Sequence, residues 1–186
     1  MILLIAILAV VVVLGVLLAG TYNRLVGLRQ NTNRAFADID VQLKQRSDLI
    51  PNLVETVKGY ASHEARTLEA VVAARNAATT ATTIDDKVQA ENAVSGALGR
   101  LMALSESYPD LKANAGFIQL QGELGDIENK LAAARRFFNN SVGEYNASIQ
   151  QFPAVLLAGP MGFQTRLFFD LGPDRATFDS APEVKF

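Results

Sequence analysis

The chain has 186 residues, 49% of them hydrophobic, and a net charge of −2. That length holds one domain plus an appendage, and so small a charge sets up no field to attract nucleic acid or an acidic substrate to the whole molecule. Cysteine is absent and His63 is the single histidine, which excludes disulfides, a thiolate nucleophile and a cysteine-ligated metal.

The chain opens on "MILLIAILAVVVVLGVLLAG", twenty residues without a charged or strongly polar side chain. As a helix rising about 1.5 Å per residue, it matches a hydrocarbon core of about 30 Å. A cleaved signal peptide is the alternative, but it calls for a basic start and a shorter apolar run. No Lys or Arg precedes the run, so an uncleaved anchor over 1–20 is expected. Arg24, Arg29 and Arg34 follow it before the first acid, Asp38. The positive-inside rule then predicts a single-pass protein with its N-terminus outside and residues 21–186 in the cytoplasm. Gly15 and Ala19 are four apart, a spacing that lets two such helices pack closely.

From residue 25 a seam steps by three and four through Leu25, Leu28, Thr32, Ala35, Ile39, Leu43, Arg46, Ile50, Leu53, Val57 and Tyr60. It has two polar interruptions, Thr32 and Arg46. Pro51 removes a helical N–H and crowds the carbonyl of Ser47. The seam keeps its phase across Pro51, so a reversal there is not expected. Either the helix bends at Pro51, or it restarts with Asp48 as cap and Pro51 in the first turn. Gly59 is a second candidate break.

A helix with buried Leu68, Val71 and Val72 is predicted next, with Ser62 as its cap. Thr83 and Asp86 stand in capping-box spacing before another, carrying Ile84, Val88, Val94, Leu98 and Leu101. Ser107 and Asp110 repeat that spacing, with Pro109 in a first turn. The last helix carries Phe117, Leu120, Leu124, Ile127, Leu131, Ala134, Phe138, Val142, Tyr145, Ile149 and Phe152, and stops at Pro153. No segment alternates as a strand. The fold class is all-α: an N-terminal transmembrane helix, then an elongated antiparallel four-helix bundle over 21–153. The tail from 154 to 186 is apolar at first and too broken by Pro and Gly to span a membrane. Its Phe163, Phe168 and Phe169 either meet the membrane interface or a neighbouring subunit, or fold back onto the end of the bundle. The stretch 170–186 is expected to be irregular.

Catalytic chemistry finds little support. His63 and Glu64 lack the second histidine of a zinc helix, because position 67 is Thr. No Glu-x-x-His pair, nucleophile elbow or phosphate-binding glycine loop occurs, and no cofactor or metal is predicted. The polar cluster Asp40, Lys44, Arg46, Asp48, Pro51 and Asn52 is the remaining candidate site. Pairs such as Asp40–Lys44 are at i,i+4 spacing. Arg46 on the seam is either paired and register-setting or a snorkelling arginine on a solvated face.

The motifs "YNRLVGLR", "DVQLKQRSDLIPNLVETVKGYASHE", "YPDLKAN" and "ARRFFNNSVGEYNASIQQFP" followed by "GF" and "FF" resemble the LemA family of bacterial membrane proteins from about Tyr22 to Phe169. Phe36 departs from the pattern, since relatives often carry Trp there. The resemblance implies a single-pass protein of the bacterial cell membrane with a cytoplasmic helical bundle. It brings no activity, cofactor or catalytic residue, and a magnetosome-associated branch suggests membrane-linked organisation. The leading functional expectation is a non-enzymatic scaffold that self-associates or recruits a membrane or cytoplasmic protein partner. The alternatives are a sensor or signal relay hinged at Pro51 and a small-ligand binder or enzyme using the Asp40–Asn52 cluster. The expected partners are the lipid bilayer, further copies of the chain and a protein partner, not nucleic acid.

Overall fold

The computed structural model describes residues 1–169, apart from the side chains of Ile84 and Asp85, so the expected irregular stretch 170–186 lies outside the described residues. Among the described residues six helices follow in order: α1 (Ile2–Lys58), α2 (Ala65–Thr80), α3 (Ile84–Ser105), α4 (Pro109–Lys112), α5 (Ala115–Gln150) and α6 (Ala154–Ala158). No strand occurs among the described residues. The fold is all-α, with two long helices, three shorter ones between them and a short one after the second.

α1 is a single helix of 57 residues with Pro51 inside it. It therefore neither reverses nor restarts at Pro51, and it ends at Lys58, just before Gly59. Asp48 is not a cap; its carboxylate accepts from Lys44 Nζ at 2.5 and 2.6 Å on the exposed face.

The chain forms two compact units, one from Met1–Asp38 with Ala134–Phe168, the other from Ile39–Ala133 with Phe169. In the first unit the side chains of the apolar run are exposed, from Ile2 to Leu18. Beyond the run, Leu25 and Leu28 of α1 pack with Tyr145 and Ile149 of α5, Ala154 and Ala158 of α6, and Phe163. Gly162, at φ +74°, takes the left-handed conformation that reverses the chain after α6, and the Phe163 N–H closes the turn on the Ala158 carbonyl at 2.8 Å. That turn returns the Phe163 ring to the core.

In the second unit four helical segments alternate in direction. Contacts from Asp40 to Lys87 and from Arg46 to Glu91 advance together along α1 and α3. Contacts from Arg46 to Glu128 and from Tyr60 to Asn114 run oppositely along α1 and α5. The core between them includes Ile50, Leu53, Val57, Leu68, Val71, Val94, Leu98, Leu101, Leu111, Phe117 and Leu124.

Every seam position from Leu25 to Val57 is buried. Tyr60 is exposed because it lies past the helix end, and Phe152 is exposed for the same reason beyond Gln150. Val72 also faces outward, so α2 buries Leu68 and Val71. Ser62 is exposed in the connecting turn; the N-cap of α2 is Glu64, without a side-chain bond. Thr83 does cap α3: its Oγ1 accepts from the Asp86 N–H at 3.1 Å and donates to Asp86 Oδ2 at 2.7 Å. Pro109 opens the one-turn helix α4, and α5 starts separately, with Asn114 Oδ1 accepting from the Phe117 N–H at 2.9 Å.

Candidate functional site

Arg46 carries the second unit's main polar cluster. Its side chain is 1% exposed, and water cannot solvate a charge held there, so the protein must. Nη2 donates to Glu91 Oε2 on α3, while Nη1 donates to Glu128 Oε1 on α5 at 2.5 Å and to Ser95 Oγ on α3 at 3.0 Å. Glu91 is 8% exposed at its side chain and Glu128 44%. One planar cation thus ties α1 to two other helices with directional bonds. Arg46 is the paired seam arginine, not a snorkelling one.

Pro51 has a neighbouring role. Without an N–H at position 51, the Ser47 carbonyl has no i→i−4 helical donor. Arg75 of α2 supplies one: its Nε donates to that oxygen at 2.9 Å. The proline opens a main-chain acceptor in the middle of α1, and a neighbouring helix uses it. Asn52 is exposed, and its carbonyl accepts from Thr56 Oγ1 at 2.8 Å.

Asp40 does not pair with Lys44. Lys87 Nζ of α3 donates to it at 2.7 Å, because α3 lies alongside and leaves Lys44 to Asp48 one turn further on. An open groove of about 370 Å³ is lined by Asp40, Lys44, Ser47, Thr79, Lys87 and Glu91, among others. Its charged groups are engaged: Asp40 with Lys87, Lys44 with Asp48 and Glu91 with Arg46. At the far end of this unit, Tyr108 Oη donates to Glu64 at 3.2 Å. Burial, and then that bond, raises its phenol above the usual 10.0. Among the described residues no group of three His, Asp or Glu side chains is placed to hold a metal ion.

The first unit has its own arginine cluster, at the other polar seam position. Thr32 is buried; its hydroxyl donates to the Arg29 carbonyl at 2.8 Å and accepts from Arg166 Nη1. Arg166 also donates from Nη1 to Asn33 Oδ1 at 2.7 Å, and its guanidinium lies 5.7 Å from the Tyr145 ring centre. Asn146 grips the backbone of Arg166 in both directions at 2.9 Å. Sequence reading did not single out Arg166; its one trace was the unexplained Thr on an apolar seam.

These contacts fold the segment after α6 back onto α1 and α5. Phe163 is 4% exposed, 5.7 Å from Tyr22 ring to ring, with the Arg29 guanidinium 5.1 Å from its centre. Phe169 is 1% exposed and Phe168 43%. Of the alternatives open for the tail, Phe163 and Phe169 take the fold-back one, both rings being buried within the chain, while Phe168 stays exposed. Arg24 and Arg34 are exposed, as are Gly15 and Ala19 on the apolar run.

Fold and site together define an all-α protein that has, among the described residues, one helix long and apolar enough to cross a membrane, with further helices tied to it or to one another through arginine side chains. The chain belongs to the LemA family, whose model matches residues 35–186. It is similar to the magnetosome protein MamQ of Magnetospirillum gryphiswaldense, with 25% identity covering 88% of this chain and 70% of that protein. MamQ 2 of Paramagnetospirillum magneticum is 24% identical, over 97% of this chain and 75% of its own. Protein LemA of Metamycoplasma hominis is 26% identical over 72% of this chain and 61% of its own. Family membership and the apolar N-terminal helix fit a membrane-anchored protein.

Proposed function

We propose that this chain is a non-enzymatic, single-pass scaffold of the bacterial inner membrane, with its N-terminus outside and its helices in the cytoplasm, where it self-associates and recruits a protein partner. The observation that carries this reading is α1, which runs from the apolar segment through both units to Lys58 without a helix break. The second unit's main polar cluster is engaged in fastening helices to one another, and the first unit's in fastening the segment after α6 to α1 and α5. Such a molecule joins helical units to a membrane segment through one continuous helix, which supports reading it as a scaffold. Two relatives carry the name magnetosome protein, which is in keeping with a role in membrane-linked organisation. Gly15 and Ala19, exposed on one helix face, offer a contact between two anchors.

Light scattering of the detergent-solubilised full-length chain, combined with crosslinking in cells, tests the proposal. An oligomer weakened by Gly15→Leu with Ala19→Leu, or a partner crosslinked to the helical units, supports it. A strict monomer that crosslinks to nothing overturns it.

A further inference from the structure

We propose that the first unit has a second membrane contact besides the anchor: Phe152, Val155 and Leu156 enter the lipid interface beside the point where α1 leaves the apolar run. This rests on reading that run as a membrane span.

Four observations place these side chains there. First, α6 turns Ala154 and Ala158 inward, each 6% exposed, and leaves Val155 and Leu156 at 49% and 66%, with Phe152 before them at 80%. Three large apolar side chains so close together and so exposed make a patch that water solvates poorly. Second, its height is fixed by the core beneath it. Ala154 and Ala158 pack with Leu25 and Leu28, and Leu25 stands roughly 7 Å along α1 from Gly20 at the usual helical rise. Leu28 stands about 12 Å from Gly20, and the headgroup layer is about 5–8 Å deep on each side of a bilayer, so the base of the patch spans the outer edge of that layer. Third, no charged residue occurs between Glu144 and Arg166, so nothing in this stretch opposes entry. Fourth, the unit is basic. It holds Arg24, Arg29, Arg34, Arg135, Arg136 and Arg166 against only Asp38 and Glu144. An anionic leaflet attracts such a unit and holds a shallow apolar contact in place. The occupant is therefore an anionic bilayer surface.

The chain's lack of cysteine allows a direct test on the full-length protein. Leu156→Cys is labelled with a polarity-sensitive fluorophore and reconstituted into vesicles of phosphatidylcholine and phosphatidylglycerol. These carry spin-labelled quencher lipids, either at the headgroup or deep in the acyl chain. Val12→Cys reports the anchor, and Ser62→Cys reports the exposed turn after α1. We expect the label at 156 to be quenched severalfold more than at 62, and more by the shallow quencher than by the deep one, with the reverse depth preference at 12. Val155→Cys repeats the measurement if the first variant folds poorly. A label at 156 that behaves like the one at 62, with 12 quenched, overturns the proposal and leaves the anchor intact. A blue-shifted but unquenched label at 156 means that protein, a second copy or residues 170–186, covers the patch, and also overturns it. Absence of quenching at 12 overturns the anchor reading itself.

Discussion

Arg46 and Thr32 are the two residues that break the apolar seam of α1, and each is buried at the centre of an arginine cluster, though of the two arginines, Arg46 and Arg166, only Arg46 is itself buried. The sequence made both visible as anomalies. It did not show their partners, because Glu91, Glu128 and Arg166 are 45, 82 and 134 positions away and no local spacing encodes a contact across the bundle. The depths of the two carboxylates predict unequal roles. Removing Glu91 takes the deep carboxylate from a buried cation and leaves it only Ser95 and the half-exposed Glu128, so Glu91→Ala should cost about 3 kcal/mol. Glu128 is nearly half exposed, and Glu128→Ala should cost about 1 kcal/mol or less. Replacing the deep pair together, Arg46→Met with Glu91→Leu, should recover most of the first loss. Equilibrium unfolding of the solubilised protein measures all three, and equal costs for the two single variants would contradict the assignment. Tyr108 supplies a pH test. Its pKa is raised in the folded state, so the stability it contributes is complete below its unfolded value of 10.0. It is lost as the pH rises through the folded value. Tyr108→Phe should therefore flatten the alkaline edge of the stability profile and leave neutral pH nearly unchanged.

Among the elements, α1 and α5 were legible because a three-and-four apolar step over so many residues has one helical solution. The pattern misled where the helix stopped: Tyr60 and Phe152 keep the count but sit past the ends, where a helical face no longer exists. The start of α5 was missed because Pro109 with Asp110 looks like a helix opening, and it does open one, but α4 lasts a single turn. Asn114 then caps α5 and donates from Nδ2 to Tyr60 Oη at 2.9 Å, so Asn114→Ala should cost about 1–2 kcal/mol in thermal unfolding. Pro51 resolves the oddity of a proline inside a long helix: it exposes the Ser47 carbonyl that Arg75 binds. This predicts coupling between the two. Arg75→Ala should cost about 1–2 kcal/mol in the native chain, where it orphans a partly buried acceptor. In a Pro51→Ala background a main-chain N–H replaces the lost donor, and the cost should fall to less than half. A double-mutant cycle reads the difference. Additive effects would mean that the proline and the arginine act independently.

At the scale of the whole molecule, charge is divided along the chain more sharply than its net value of −2 suggests. The unit that contains the apolar run carries six arginines and two acids, so the acids that make the chain negative lie almost entirely elsewhere. That partition has a consequence for insertion. Basic residues within about 15–20 positions of a span resist transfer across the membrane, and acidic residues contribute little. Arg24, Arg29 and Arg34 occupy that window. They should therefore hold the helical units in the cytoplasm. Ser62→Cys, exposed in the turn after α1, supplies the reporter in a chain without native cysteine. In spheroplasts this thiol should resist a membrane-impermeant maleimide until the cells are lysed. Changing the three arginines to glutamine should raise the fraction labelled before lysis, and adding lysines before Ile2 should raise it further. The apolar run is unaltered by these changes, so a rise would reflect orientation and not loss of the anchor; an alkaline carbonate wash that leaves the variant in the membrane fraction verifies this. Full labelling of the unsubstituted reporter in intact spheroplasts would place the helical units outside and reverse the topology proposed for this chain.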